Sequence, residues 1–236
     1  MDADEWLGTQ GQDALATAFY AGGPEGLAHL QAAGFKPKTY EGRELKPDQV
    51  LIVGPGSNNI TAYKDSISKM LKAGGHLLAI GLDQEQADAL LPFHVMMKQA
   101  EYINAYFEPP GLNSPLAGVG PADVHNRDPR TIPLVTEGAA TIGNGVLAVA
   151  DNANVVFCQL APWQFDYQNN FGLKRTFRRT SFLLTRLLSN LGLSSETPLL
   201  SRLSEPVESA EPGRWLDGLY LDKPEEWDYP YRFFRW

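Results

Sequence analysis

The chain has 236 residues, of which 43% are hydrophobic, 11% aromatic and 20% charged, and its formal net charge is −8. This length and composition fit one large domain with a sizeable core and exclude global disorder. The acidic balance speaks against nucleic acid as a partner, and the single cysteine, Cys158, excludes an internal disulfide and a cysteine-based structural zinc site.

The first residues, MDADEWLGTQGQDA, are acidic and polar. They have neither the basic start nor the apolar centre of a signal peptide. No apolar run approaches the roughly 20 residues that span a bilayer. We therefore expect a soluble chain without an export signal of its own and without a membrane partner, although a longer parent enzyme could still be exported.

The first half of the chain alternates between strand-like and helix-like segments. Strands are predicted in residues 14–23, 35–42, 48–59 and 76–82, and helices in residues 24–34, 60–75 and 83–92. The second strand is of the edge type, because Pro37 has no N–H to donate to a neighbour. The continuous apolar runs are typical of parallel strands buried on both faces. This order predicts an open, mostly parallel sheet with helices on both faces.

The middle of the chain is less regular. Residues 95–107 alternate and predict one extended strand or a pair of strands, whereas residues 108–133 are rich in Pro and Gly and predict a long structured loop. Loops of this length inside a compact domain are usually functional or interfacial. Two apolar runs at 145–150 and 154–160 are separated by three residues, which predicts a β-hairpin.

The C-terminal part begins with a strong helix prediction at residues 173–192. Beyond it the composition changes, so we divide the chain into an α/β domain (1–192) and a linker with a C-terminal tail (193–236). The tail, YLDKPEEWDYPYRFFRW, holds two tryptophans, three tyrosines and two phenylalanines. Large aromatic side chains lower the free energy of a protein only when they are buried. We therefore expect the tail to dock on its own domain, a sister domain or a partner subunit.

The stretch VGPGSNN (53–59) resembles a phosphate-binding loop but lacks the lysine of a P-loop and the third glycine of a dinucleotide fingerprint. The favoured interpretation is a glycine turn followed by a polar helix cap at Ser57 or Asn58. Anion binding at the backbone remains the alternative. Asn58 and Asn59 are also candidates for lining a ligand pocket.

The densest set of acid–base side chains lies in ADVHNRDPR (122–130). Asp123, His125 and Asp128 are the candidate catalytic residues, and Arg127 is a candidate ligand-binding residue, because a histidine with a nearby carboxylate acts as a general base. Asp and Arg in loops also pair with each other and cap backbone groups, and this structural or interfacial role is the favoured one. The four histidines lie far apart, so we predict neither a metal site nor a cofactor.

Two further features concern Cys158 and the aromatics that follow it. Cys158 lies inside an apolar run without a glycine turn or a neighbouring histidine, which favours a core residue over a nucleophile. Trp163 and Phe165 follow shortly after it. They are candidate platforms for stacking a carbohydrate, provided that their rings face solvent.

The chain resembles a glutamine-amidotransferase-like (flavodoxin-like) domain, and more specifically the C-terminal domain of large bacterial glycoside hydrolases of the family 2 and β-galactosidase type. The stretches that carry this resemblance cover most of residues 14–236: QVLIVGPG, AGGHLLAIGL, GVGPADVHNRDP, GNGVLAVA, NVVFCQLAPWQFDY, LKRTFRRTSFLLTRLLSNLG and DYPYRFFRW.

The resemblance implies a fold and argues against an amidotransferase activity. Such enzymes carry a cysteine nucleophile in an elbow after a central strand, and the corresponding turn here reads Ile80-Gly81-Leu82-Asp83-Gln84. In the related β-galactosidases a domain of this type is non-catalytic and helps to build the oligomer. We therefore expect a non-catalytic domain or subunit whose partner is a catalytic glycoside hydrolase domain or another copy of the chain. The alternatives are a small hydrolase, with its site between the strand ends and the 108–133 loop, and a carbohydrate-binding module.

Overall fold

A computed structural model describes residues 16–57, 60–126, 128–150, 152 and 154–195. Within these ranges the nine strands are β1 (Thr17–Ala21), β2 (Lys38–Thr39), β3 (Gln49–Val53), β4 (His76–Ile80), β5 (Met96–Tyr102), β6 (Arg130–Glu137), β7 (Ala140–Ile142), β8 (Leu147–Ala150) and β9 (Val155–Cys158). The helices are α1 (Pro24–Ala32), α2 (Lys64–Lys72), α3 (Gln84–Leu90) and α4 (Lys174–Asn190). Short 3-10 turns span Ile60–Tyr63, Pro162–Gln164 and Phe171–Leu173.

Seven strands form one sheet in the order β2-β1-β3-β4-β9-β8-β7. Every neighbouring pair from β2 to β9 is parallel, whereas β8 and β7 are antiparallel to their neighbours. β2 is the predicted edge strand, and β8 and β9 are the predicted hairpin, with Leu147 opposite Cys158.

Helices cover both faces of this sheet, because alternate residues of the central strands face opposite layers. In β3, Val50 and Ile52 belong to the core beneath α1 and α4, which contribute residues such as Leu30 and Leu184. The intervening Leu51 and Val53 belong to the core beneath α2 and α3, with Ile67 and Leu90 among their partners. Strands buried on both faces need apolar residues at every position, which explains the uninterrupted runs in the sequence.

The predicted loop at 108–133 is too long by four residues. Arg130–Pro133 begin β6, which pairs antiparallel with β5 in a separate two-stranded sheet and places Tyr102 opposite Arg130. Proline at 129 and 133 hid this strand from the sequence pattern. In a two-stranded ribbon one side of each strand makes no ladder bonds, so a strand can accommodate a proline whose missing N–H faces that side.

The remainder of that loop is ordered against α4. Leu116, Val119 and Val124 are buried in the same core as the helix. Nδ2 of Asn190, at the end of α4, donates to the carbonyl oxygens of Pro115 and Ala117 at 3.0 and 2.9 Å. The loop is therefore structured, as predicted, and forms part of the layer that contains α4.

A side chain continues the second sheet beyond β5. Oε1 of Gln84 accepts a hydrogen bond from the Met97 N–H at 2.7 Å, and its Nε2 donates to the Val95 carbonyl at 2.9 Å. The Gln84 amide thereby satisfies a backbone donor and a backbone acceptor at the start of β5.

Within the described ranges, no helix has the length and hydropathy needed to cross a bilayer. The aromatic tail and nearly all of the linker lie outside the described residues, so the division at residue 192 and the docking of the tail stay predictions.

Candidate functional site

The carboxyl ends of four parallel strands, β1, β3, β4 and β9, meet at one edge of the large sheet. Ligands bind at this edge in open α/β sheets. Here the chain segments that leave the strands bond to each other: the Gly23 N–H donates to Pro55 O at 2.8 Å, and the Gly54 N–H donates to Ala21 O at 2.9 Å. The Gly54 amide, which belongs to VGPGSNN, is therefore occupied, and this argues against anion binding at that amide.

The glycines at this edge make room for Tyr20. A Cβ on Gly22 or Gly26 would overlap the Tyr20 phenol, and one on Gly54 would lie 2.8 Å from its oxygen. The hydroxyl donates to Gly23 O at 3.1 Å, and burial, helped by the negative charge of Glu25, raises the pKa of Tyr20 to about 12. Packing against Tyr20 thus explains the glycine at position 54 of the glycine-rich turn.

The predicted cap of the following helix differs from the structure. The chain enters a 3-10 turn at Ile60, and the N-cap position of α2 is Tyr63, with no side-chain capping bond. Asn58 and Asn59 lie outside the described residues, so their part in a pocket stays a prediction.

The turn after β4 contains no Cys, Ser or Thr that could act as a nucleophile. Gly81 lies at the sharp strand-to-helix turn with φ of +57°, a conformation that favours glycine. Its N–H donates to Cys158 O at 2.8 Å. A Cβ built on Gly81 would lie 3.3 Å from Cγ of Pro55 and 3.7 Å from Cβ of Ala161. Asp83 is used as the N-cap of α3 in a capping box with Gln86.

Cys158 is a core residue, as predicted. It is fully buried at the end of β9, and its Sγ–H donates to the Leu160 carbonyl at 3.5 Å. Burial raises the pKa of its thiol to about 12, the hydrogen bond to Leu160 opposing this shift. A neutral thiol without access to solvent has no nucleophilic role.

The candidate acid–base residues of the 122–130 loop make local contacts. Oδ2 of Asp123 accepts from the Gly120 N–H at 2.8 Å, and Nδ1 of His125 lies 2.9 Å from Nη1 of Arg179 on α4. Asp128 is exposed, and Arg127 lies outside the described residues. Among the described residues, no three His, Cys, Asp or Glu side chains are grouped as metal ligands. The catalytic role of these residues stays a prediction.

A cavity of about 430 Å³ lies between α1, the segment that follows β9, and the first turns of α4. Four aromatic rings line it: those of Trp163, Phe165, Tyr167 and Phe177. Its polar lining consists of Glu25, His29, Asp166 and Gln168. Trp163 lines this cavity and is partly buried, and its role as a platform for a carbohydrate stays a prediction. Phe165 is only 4% exposed, so it is not the solvent-facing platform that a stacked sugar needs.

His29 is the most constrained polar residue of this cavity. Its side chain is 6% exposed, and its ring centroid lies 5.7 Å from that of Trp163 and 5.6 Å from that of Phe177. Burial lowers the pKa of His29 to about 4, so the imidazole is neutral near pH 7. Its Nε2 is buried without a hydrogen-bond partner. A buried polar atom without a partner is uncommon and marks a position where a ligand or water can bind.

Neither His29 nor Phe177 was predicted as part of this site: His29 lies more than a hundred residues before Trp163, and Phe177 is one of several apolar residues in the sequence of α4. α1 and α4 flank the same end of the sheet and bring the three rings together. The signal available in the sequence was a histidine on the apolar face of α1, a pattern more often found in an ordinary core.

Comparison with known proteins supports the fold alone. No protein-family model matches the sequence, and no curated protein matches it. A chain of the PurLQS structure from Thermotoga maritima superposes with a TM-score of 0.50 at 11% sequence identity, over 75% of this chain and 99% of that one. This neighbour has a glutamine-amidotransferase-type fold, and the likeness agrees with the expected α/β architecture.

Proposed function

We propose that the chain is a non-catalytic amidotransferase-like domain or subunit, which supports a glycoside hydrolase in carbohydrate degradation through contacts between domains or subunits. The observation that carries the non-catalytic part is the turn after β4. At the position where this type of fold presents its nucleophile stands Gly81, and Pro55 and Ala161 pack next to it. The choice of a glycoside hydrolase as partner rests on the sequence resemblance.

A contact role is supported by the segment that follows β5. Tyr106 and Leu112 are 82% and 84% exposed, and Ile103 is also exposed. Single exposed apolar residues are common, but such side chains in a long connection are typical of segments that are covered by a partner. We therefore place the proposed contact surface at residues 103–112.

The non-catalytic part is tested with the purified chain. Aryl glycosides of several sugars and free glutamine are offered at high protein concentration, and we expect no turnover above that of a heat-unfolded sample. Hydrolysis of an aryl glycoside that is abolished by one carboxylate substitution, such as Asp123→Asn, would overturn the proposal.

The contact part is tested by native mass spectrometry and sedimentation, with the chain alone and mixed with a glycoside hydrolase of the family 2 type. Leu112→Asp should weaken the association, whereas Glu85→Gln, an exposed change on α3, should leave it intact. Neither variant should change the melting temperature appreciably, because both side chains are exposed. Association that is insensitive to Leu112→Asp and Tyr106→Asp would place the contact elsewhere.

A further inference from the structure

The cavity between α1 and α4 combines features that suit a particular class of ligand. Its walls present four aromatic rings, and its charged lining residues, Glu25 and Asp166, are both acidic. Neither lysine nor arginine is among the residues that line it. Aromatic faces carry negative potential and attract cations, and carboxylates at the rim add to this attraction.

Asp166 is fixed as an anion at this rim. Its Oδ1 accepts from the Asn169 backbone N–H at 3.1 Å, and its Oδ2 accepts from Asn169 Nδ2 at 2.7 Å. These bonds, led by the one from the Asn169 side chain, lower the pKa of the Asp166 carboxyl. The negative charge is therefore present at neutral pH and is held in place by a local turn.

His29 supplies a second and independent indication. Its buried Nε2 has no partner, and the imidazole is neutral near pH 7, so it does not repel a cation. In the tautomer protonated at Nδ1, Nε2 is an acceptor for a ligand N–H. A primary ammonium or guanidinium group supplies such a donor.

The aromatic wall already holds one cation on its outer side. The guanidinium carbon of Arg130 lies 4.5 Å from the centroid of the Phe165 ring, and its Nη1 donates to Gln164 O at 3.1 Å. This bond ties Arg130 to the backbone next to the cavity, outside its lining.

We propose that this cavity binds a small organic cation, an amine or a guanidine that carries an apolar group. The apolar group would pack against the rings, and the cationic N–H groups would meet His29 Nε2 and the carboxylates of Glu25 and Asp166. The site is separate from the proposed contact surface, because none of its lining residues belongs to residues 103–112. It therefore stands or fails independently of the proposed function.

The test compares two probes of nearly equal shape, benzylamine and benzyl alcohol, of which only the first is charged at pH 7. Titration is followed by tryptophan fluorescence, to which Trp163 contributes as one of five tryptophans, and by calorimetry. Benzylamine should bind at least about tenfold more tightly, the ratio expected from one or two cation–aromatic contacts. Methyl glycosides of glucose and galactose form a third arm.

Matched variants assign the binding to the cavity. Glu25→Gln should weaken benzylamine several-fold and leave benzyl alcohol unchanged, whereas Ala28→Phe should block both probes by filling the space. Glu85→Gln on α3 is the control for a carboxylate elsewhere, and circular dichroism checks that each variant is folded. Equal affinity for both probes, tighter binding of a methyl glycoside, or no binding of any probe would overturn the proposal.

Discussion

Nη1 of Arg179 donates a hydrogen bond to Nδ1 of His125 across 2.9 Å, and this contact joins the middle of α4 to the loop before β6. It fixes the imidazole as an acceptor at Nδ1, so the ring proton is on Nε2. A histidine held in this way serves to anchor a loop.

The first prediction concerns this anchor. We expect His125→Ala and Arg179→Met each to lower the free energy of unfolding and to show a coupling of about 1 kcal/mol in a double-mutant cycle, the net value of one such hydrogen bond. Urea denaturation measures the free energy of unfolding of each variant. Asp128→Ala is the control, and it should change this free energy by almost nothing because Asp128 is exposed. Strictly additive effects would show that the contact does not form in solution.

The second prediction concerns the turn at Gly81. Ala at a positive φ costs about 1–2 kcal/mol, and the added Cβ would also crowd Pro55. Gly81→Ala should therefore lower the free energy of unfolding by at least this amount. Gly74→Ala is the matched control, because its φ is +89° and a Cβ there meets nothing within 4 Å. A Gly81→Ala variant as stable as the original chain would contradict the positive φ at this turn.

The third prediction concerns alkaline stability. The thiol pKa of Cys158 rises from an ordinary value near 9 to about 12 on folding, so its contribution is complete below pH 9 and is lost as the pH rises toward 12. The loss amounts to about 1.4 kcal/mol per pH unit in that window. Cys158→Ala should make the pH profile shallower there. Tyr20 adds a loss of the same sign above pH 10.

The same thiol should be inert in the folded chain at pH 8. A disulfide reagent should label Cys158 only as fast as the protein opens, and urea should make the labelling immediate. Fast labelling of the native chain at neutral pH would contradict the assignment of Cys158 to the core.

The fourth prediction concerns acid stability. The pKa of His29 falls from 6.5 to about 4 on folding, so the unfolded chain binds the additional proton between these values. The free energy of unfolding should fall as the pH drops from 6.5 to 4. His29→Leu should make the dependence of the free energy of unfolding on pH weaker between these values. His76→Gln should also weaken it, because burial lowers the pKa of His76 as well. An unchanged slope in His29→Leu would show that this imidazole is solvated.

The central sheet was readable from sequence because its strands are buried on both faces. Residues 50–53 and 77–80 form uninterrupted apolar runs, which are typical of parallel strands that are buried on both faces. A glycine follows each run and marks the turn. β6 could not be predicted from the sequence, because Pro133 interrupts its pattern and because, in the part of the chain that the structure describes, it pairs with β5 alone. Local propensity identifies a strand poorly when a single long-range pairing defines it.

Only part of the candidate site could be predicted from the sequence. Trp163 was identified from its aromatic neighbours, but a cavity is a property of residues brought together by the fold. His29 is separated from Trp163 and Phe177 by more than a hundred residues, and the three rings meet because α1 and α4 pack on the same face of the sheet. The lack of a nucleophile at the turn after β4, in contrast, was apparent from the five consecutive residues 80–84, because the strand and the helix that flank this turn are adjacent in the sequence.

The Gln84 amide has a consequence for the unpaired edge of β5. An unpaired strand edge is a template for another chain, and uncontrolled growth of this kind leads to aggregates. By bonding to Met97 N and Val95 O, Gln84 occupies the groups with which an incoming strand would first pair. Recruitment of a foreign strand at the start of β5 therefore requires that α3 first release its own side chain, so the helix protects the ribbon from uncontrolled growth.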